Sequence, residues 1–379
     1  MGKAIRYPVA QPVLAGREME YVLEAMSSGW ISSGPYVSRF ERLFAEELGV
    51  EQCISTCNGT AALHIACAAM GLKPGMEVIV PSLTYVASVN AVAYCGATPV
   101  FADSDRRTWN VTRESIEAAW TPRTAGVIAV HLYGMPAPVD EIADLCRERN
   151  VWLIEDCAES LGASLRGRPT GTFGDAAMWS FYGNKTISTG EGGMVYLRDP
   201  ERREHARLLR GQGMDPKRRY WHPIMGYNYR MTNLAAAIGV GQIEMLAYHV
   251  SERRRVAEAY RRRLASLADD GTLLLPVEPN DCQGSYWLFS AVLASGGTDY
   301  RARLQQILED EHGIETRPFF VPAHHLPMYA AMPPGDSALP GAAFLGQHGL
   351  NFPSYSGLAD DDIEGICEAI AQTLHAASV

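Results

Sequence analysis

Lysine is almost missing from this chain. Of its 33 Lys and Arg residues, only four are lysine: Lys3, Lys73, Lys185 and Lys217. Arginine therefore does nearly all the cationic work, and any lysine inside a motif stands out. Positive charge is also short overall: 43 acidic residues give a formal net charge of −10. A deficit of that size excludes nucleic acid or an anionic membrane as the main partner, but still allows a local basic pocket for a phosphorylated small molecule. The eight cysteines are Cys53, Cys57, Cys67, Cys95, Cys146, Cys157, Cys282 and Cys367. They form no CxxC pair and have no histidine at zinc-site spacing, so no metal centre is expected and they read as reduced, apolar core thiols. No stretch approaches the ~20 apolar residues of a membrane span, and the start lacks a signal-peptide pattern. The expected location is the cytoplasm. Repeats, low-complexity tracts and long linkers are missing as well.

What is present is 379 residues, 47% of them hydrophobic and 20% charged, enough for one large domain with a smaller companion. From about residue 50 to 200, short apolar runs alternate with helical patterns. The runs are Val78–Val80, Pro99–Ala102, Ala125–Val130, Val151–Ile154, Ala176–Ser180 and Gly193–Leu197. The helical segments are Thr60–Met70, Ala87–Cys95, Arg113–Ala118 and Pro138–Arg149. This alternation predicts an α/β domain with a mostly parallel, buried sheet. Composition changes near residue 245. A charged helix over Ser251–Leu267 with a solvated arginine face, a strand over Tyr286–Leu293, a helix over Tyr300–Glu311, a Pro-rich stretch (Arg317–Pro334) and a last helix over Asp360–His375 predict a smaller α+β domain. The division is thus 1–245 and 246–379.

Four features of the first part converge on one chemistry, although each alone allows another reading. Asn58-Gly59-Thr60 precedes a helix, where free N–H groups attract phosphate; a simple N-cap explains it equally well. Tyr85 follows the strand Val78–Val80, at the edge where α/β folds place ligands, and an aromatic there can stack on a flat heterocycle or merely cover the surface. Ile154-Glu155-Asp156-Cys157-Ala158-Glu159 ends the next-but-two strand. A carboxylate there can keep a pyridinium charged, and two acids also suit a metal site or a helix cap. Finally, Lys185 sits between the strand ending at Ser180 and the loop Gly190-Glu191-Gly192-Gly193. A lysine amine, unlike a guanidinium, can lose its proton and form a Schiff base. The loop lacks a GK[ST] ending, which argues against an NTP-binding P-loop, and it lacks GxGxxG before a helix.

Together the stretches NGTAALHIA, PSLTYVAS, IEDCAES, SFYGNKTISTGEGGM and GYNYRMTN resemble the DegT-type sugar aminotransferases. The resemblance runs from Gly29 to the Pro-rich stretch around His324. It implies the fold of the fold-type-I, aspartate-aminotransferase-like enzymes, with pyridoxal 5′-phosphate as cofactor and pyridoxamine 5′-phosphate as its aminated form. By the same resemblance, Lys185 forms the Schiff base and shuttles protons, Asp156 pairs with the pyridine nitrogen, and Tyr85 stacks on the ring. Gly59, Thr60 and Ser180 would hold the phosphate. Asn228 would reach it from a neighbouring subunit, which makes the active sites shared within a homodimer. Glu159 stands where many relatives carry glutamine, near the ring hydroxyl. Trp30, Ser32, His131, Tyr133, Arg317 and His324 fall inside matched motifs as sugar-binding candidates. Lys217 and Arg219, in RGQGMDPKRRYW, could meet a diphosphate or form a solvated basic loop.

The motifs VPSLTYVASVNAVAYCGATPV and GNKTISTGEGGM are most similar to the perosamine-forming branch of the family. That likeness implies transfer of an amino group from L-glutamate to C4 of a nucleotide-linked 4-keto-6-deoxy sugar, with GDP-4-keto-6-deoxy-D-mannose the leading substrate. dTDP- or UDP-linked keto sugars, C3 amination and keto-cyclitols are the alternatives. The sugar 3-dehydratases of the family replace the Schiff-base lysine with histidine, so Lys185 speaks against that chemistry. A ligand-binding module without turnover is a distant alternative.

Overall fold

The computed structural model describes residues 4–377. Its centre is a seven-stranded sheet in the order Ile54–Thr56, Gly193–Leu197, Ala176–Ser180, Trp152–Asp156, Thr124–Val130, Glu77–Pro81, Thr98–Ala102. Gly193–Leu197 runs antiparallel to both of its neighbours, and the other strands are parallel to one another. Strands such as Val78–Val80 and Val127–Val130 are apolar throughout because helices cover both faces of a parallel sheet. The helix Gly59–Ala69 packs against Ala176–Ser180 and Gly193–Leu197, and the helix Val139–Glu148 packs against the strands Thr124–Val130 and Trp152–Asp156. Several helix starts show a local cause. Asn58 Oδ1 accepts from the Ala61 N–H, and Thr112 and Ser115 form a reciprocal capping box. The amino-terminal helices Glu18–Ser27 and Pro35–Leu48 lie on the helix Asn233–Glu244.

A second sheet, all antiparallel, has the order Leu273–Leu274, Phe289–Leu293, Gly349–Phe352, Arg317–Pro318. The helices Leu246–Arg263, Gly297–His312 and Asp360–Ala377 close over it, around a core that includes Tyr260, Phe289, Leu304, Phe352 and Ile366. The chain start joins this region: Tyr7 bridges Ile314, and the Val9 N–H donates to Glu315. The helix Pro340–His348, by contrast, buries Ala342 and Leu345 in the core of the larger sheet.

Element boundaries moved where tertiary contacts outweigh pattern. The charged helix starts at Leu246 and ends at Arg263. Its arginine run is not simply a solvated face. Arg253 is buried, and its guanidinium donates to the carbonyls of Trp287, Ser354 and Lys185. The strand expected from Tyr286 begins at Phe289, because Tyr286 takes a left-handed backbone (φ 49°) and the Ser285 N–H turns aside to Gly134. The helix expected from Tyr300 starts at Gly297, just after the left-handed Gly296. All eight cysteines are unpaired; Cys57, Cys95 and Cys282 are only half-buried. No helix among the described residues is long and apolar enough to cross a membrane.

Candidate active site

The parallel strands Glu77–Pro81, Thr124–Val130 and Trp152–Asp156 end at one edge of the sheet, and the segments that follow them wall a cavity of about 430 Å³. Its position obeys the rule that open α/β sheets bind ligands at the carboxyl ends of their strands. The start of the helix Gly59–Ala69 opens into it on one side. Asn58 caps the Ala61 N–H, which leaves the first turn facing the cavity. Gly59 is required there: a Cβ would stand 2.9 Å from Ser180 Cβ and 3.0 Å from Met178 Cε.

Asp156 is buried at the end of its strand and already holds two donors. Ser88 Oγ donates to Oδ2 at 2.7 Å, and the Ala158 N–H donates to Oδ1 at 3.0 Å. Burial raises its pKa, and Ser88, Ala158 and Lys185 oppose that rise. Lys185 follows the turn closed by its own N–H on the Tyr182 carbonyl. Its Nζ lies 3.6 Å from Glu159 Oε1, with the lysine side chain 12% exposed and the glutamate 3%. Glu159 is held in turn by the Tyr133 N–H at 2.6 Å, a bond made possible by the left-handed Tyr133 backbone. Burial lowers the Lys185 pKa and raises that of Glu159 to about 7, while each charge pulls the other back towards ionisation. Lys185 is therefore a more easily deprotonated amine than a lysine on the surface.

Gly59, Thr60, Tyr85, Asp156, Glu159, Ser180, Lys185, Tyr133 and Arg317 all line this one cavity. Tyr85 is 57% exposed at its mouth and tilts against Phe320 at 5.6 Å. Arg317 is tied to Glu315 Oε1 by two hydrogen bonds.

The other expected residues lie elsewhere. His131 is fully buried behind the strand end: Nδ1 accepts from the Ala137 N–H, and Nε2 donates to Glu155. Glu155 also accepts from the N–H groups of Gly171, Phe173 and Gly174, so this pair staples a loop and has no face on the cavity. His324 is likewise taken up, between Ser82 Oγ and Asp336 Oδ1, outside the cavity wall. Both corrections share one cause: a histidine inside a motif can be recruited by neighbouring backbone and side-chain partners before any ligand meets it. Trp30 and Ser32 are exposed, as are Asn228, Lys217 and Arg219, and none of them lines this chain's cavity.

Several residues that line the cavity or support its wall escaped sequence reasoning. Ser88 was legible in principle, one helical turn beyond Thr84 in PSLTYVAS. Trp287, Asn351 and Phe320 were not, since only the fold brings the carboxyl-terminal half to this cavity.

The cavity thus gathers a buried amine, two buried carboxylates and an open helix start, and comparison with known proteins gives the family. The profile of the DegT/DnrJ/EryC1/StrS aminotransferase family matches residues 12–371. A GDP-perosamine synthase of Caulobacter vibrioides is 46% identical over 97% of this chain and 98% of its own length. One from Escherichia coli O157:H7 is 44% identical over 96% and 97%. Among solved structures, the aminotransferase TlmJ from Streptoalloteichus hindustanus superposes with a TM-score of 0.92 at 34% identity, covering 98% of this chain and all of that one. S. venezuelae DesV, in complex with a ketimine intermediate, superposes with a TM-score of 0.88 at 31% identity over 94% of both chains. The chain belongs to the DegT/DnrJ/EryC1/StrS aminotransferase family. It is an aminotransferase with the fold-type-I architecture of pyridoxal-phosphate transferases.

Proposed function

We propose that this enzyme uses pyridoxal phosphate to move an amino group from L-glutamate to C4 of GDP-4-keto-6-deoxy-D-mannose, giving GDP-perosamine. The observation that carries the reading is the meeting of Lys185, Asp156 and the Gly59–Thr60 helix start in one cavity. Near-full-length identity to the GDP-perosamine synthases supports the choice of sugar.

The cavity fits the cofactor on its own evidence. The open helix start, kept clear by Gly59 and flanked by Thr60 and Ser180, suits a phosphate. Asp156 keeps acceptor capacity beyond its two present donors, as a partner for a protonated ring nitrogen must. Asn184 Oδ1 is buried without a partner at the cavity wall, which suits a site that expects a ligand.

When bound, pyridoxal phosphate supplies an aldehyde and an electron-withdrawing ring through which an amino group can be passed. Lys185 would hold it covalently. Once released, the neutral amine of Lys185 would take a proton from the donor's α-carbon and return it at the acceptor carbon. Asp156 would keep the proton on the ring nitrogen, and Tyr85 would cover one ring face against water. Arg317 is placed for an anionic substrate group. Asn228, Trp30, Ser32, Lys217 and Arg219, exposed and outside the lining of this chain's own cavity, would serve the cavity of a second subunit in a homodimer. The same reading includes a division near residue 245 and a cytoplasmic location.

Incubation of the protein with pyridoxal phosphate, glutamate and GDP-4-keto-6-deoxymannose, with mass detection of the sugar product, tests the assignment. The reading predicts loss of the keto oxygen and gain of an amine. Turnover of dTDP- or UDP-linked keto sugars alone would overturn the choice of substrate.

A further inference from the structure

Lys185 has a partner that no local motif announces. The indole of Trp287, buried at 5% exposure, lies under the amine, with Nζ 3.6 Å from the ring centroid. The same indole donates its Nε1–H to the carbonyl of Asn184, the residue before the lysine, at 2.7 Å. Trp287 is itself fixed. Arg253 donates to its carbonyl and, from the other arm of the guanidinium, to the carbonyl of Lys185 at 3.4 Å, while Tyr133 stacks on its ring at 6.2 Å. Helix Leu246–Arg263, the Trp287 segment and the lysine loop are thus joined around one amine.

We propose that Trp287 is a positioning residue that holds the free amine of Lys185 in register with the cavity, by its ring face on Nζ and its N–H on the preceding carbonyl. The inference rests on the reading of Lys185 as the cofactor-bearing lysine. A four-carbon stem released into a cavity samples many rotamers, and proton transfer demands one of them. The aromatic face attracts the ammonium and, among aromatic rings, indole does so most strongly. Glu159, at 3.6 Å, provides a second contact, so the amine is held between a carboxylate and a ring. Because the face favours the charged form, its removal lowers the lysine pKa. The other charged groups that act on this amine are Glu159, Asp156 and Arg253, and the variants below leave all three in place.

Competitive labelling of the full-length protein, stripped of cofactor, with acetic anhydride across neutral to alkaline pH reads the amine directly by peptide mass spectrometry. Lys73, which is exposed and has no role in the proposed site, is the internal control. Trp287→Leu should move the Lys185 midpoint down by about one pH unit. Trp287→Phe, which keeps a weaker ring face, should move it the same way by less, and Lys73 should stay put. Trp287→Phe is conservative enough to decide the matter if Trp287→Leu does not fold. A Lys185 midpoint unchanged in Trp287→Phe would overturn the proposal and leave Trp287 as core packing. Because labelling does not involve pyridoxal phosphate, failure here is separate from failure of the cofactor assignment, which borohydride trapping at Lys185 would show.

Discussion

Lys185 Nζ and Glu159 Oε1 face each other at 3.6 Å in a site where both side chains are almost fully withdrawn from water. Burial works against both charges, and each is tolerable only because the other is there. The pair sets the protonation state of the amine before any substrate arrives.

Replacing the lysine tests the centre of the reading. Lys185→Ala should lower turnover by at least about 10⁴-fold, since it removes the covalent anchor and the proton carrier together. The phosphate cradle is untouched, so the variant should still bind the cofactor without a covalent link. Borohydride treatment followed by intact mass is the check: the parent gains a fixed adduct and the variant gains none.

Glu159→Gln should alter how stability depends on pH. Folded Glu159 keeps its proton up to about pH 7, whereas an ordinary glutamate releases it near 4.5. The folded cofactor-free protein therefore holds an extra proton between these values, and this residue's contribution to stability falls as pH rises through that window. Glutamine has no such proton. The difference in Tm between variant and parent should grow in the variant's favour from pH 4.5 to pH 7, followed by calorimetry.

Ser88→Ala removes the hydroxyl that donates to Asp156 Oδ2 at 2.7 Å. That hydrogen bond opposes the upward push of burial on the carboxyl pKa, so its loss should raise the Asp156 pKa further. A charge-assisted bond contributes roughly 1.5 kcal/mol, so kcat should fall by about tenfold. The loss should be steepest towards acid pH, where the carboxylate protonates first. A kcat–pH profile that parallels the parent's would contradict this role.

The proposed sharing of active sites between subunits predicts complementation. Lys185→Ala and Asn228→Ala should each be nearly inactive alone. Mixed under conditions that exchange subunits, they should recover roughly a quarter of parental activity, because half the dimers are mixed and each of those holds one intact site. Activity that stays at the level of the separate variants would place Asn228 outside the partner's site.

Six of the seven strands of the larger sheet were readable to within two residues, because buried strands are apolar almost without interruption, and the helices Gly59–Ala69 and Arg113–Ala118 carry explicit caps; the short strand Ile54–Thr56 was not, because two of its three residues are polar. Gly59, Tyr85, Asp156 and Lys185 were readable too, since each sits where a strand or helix ends and such ends are marked locally by glycine, acid or lone lysine. Chain order alone could not say what stands behind those residues. His131 and His324 belong to motifs, yet Glu155 and Asp336 had already claimed them. Arg253 looks like one more solvated arginine until three carbonyls from distant segments converge on it. Trp287 meets Lys185 only because the second sheet docks against the first. Local structure follows from short-range sterics, capping and periodicity, which a sequence displays. A pair of side chains far apart along the chain meets through the packing of whole layers, and that only the tertiary structure decided.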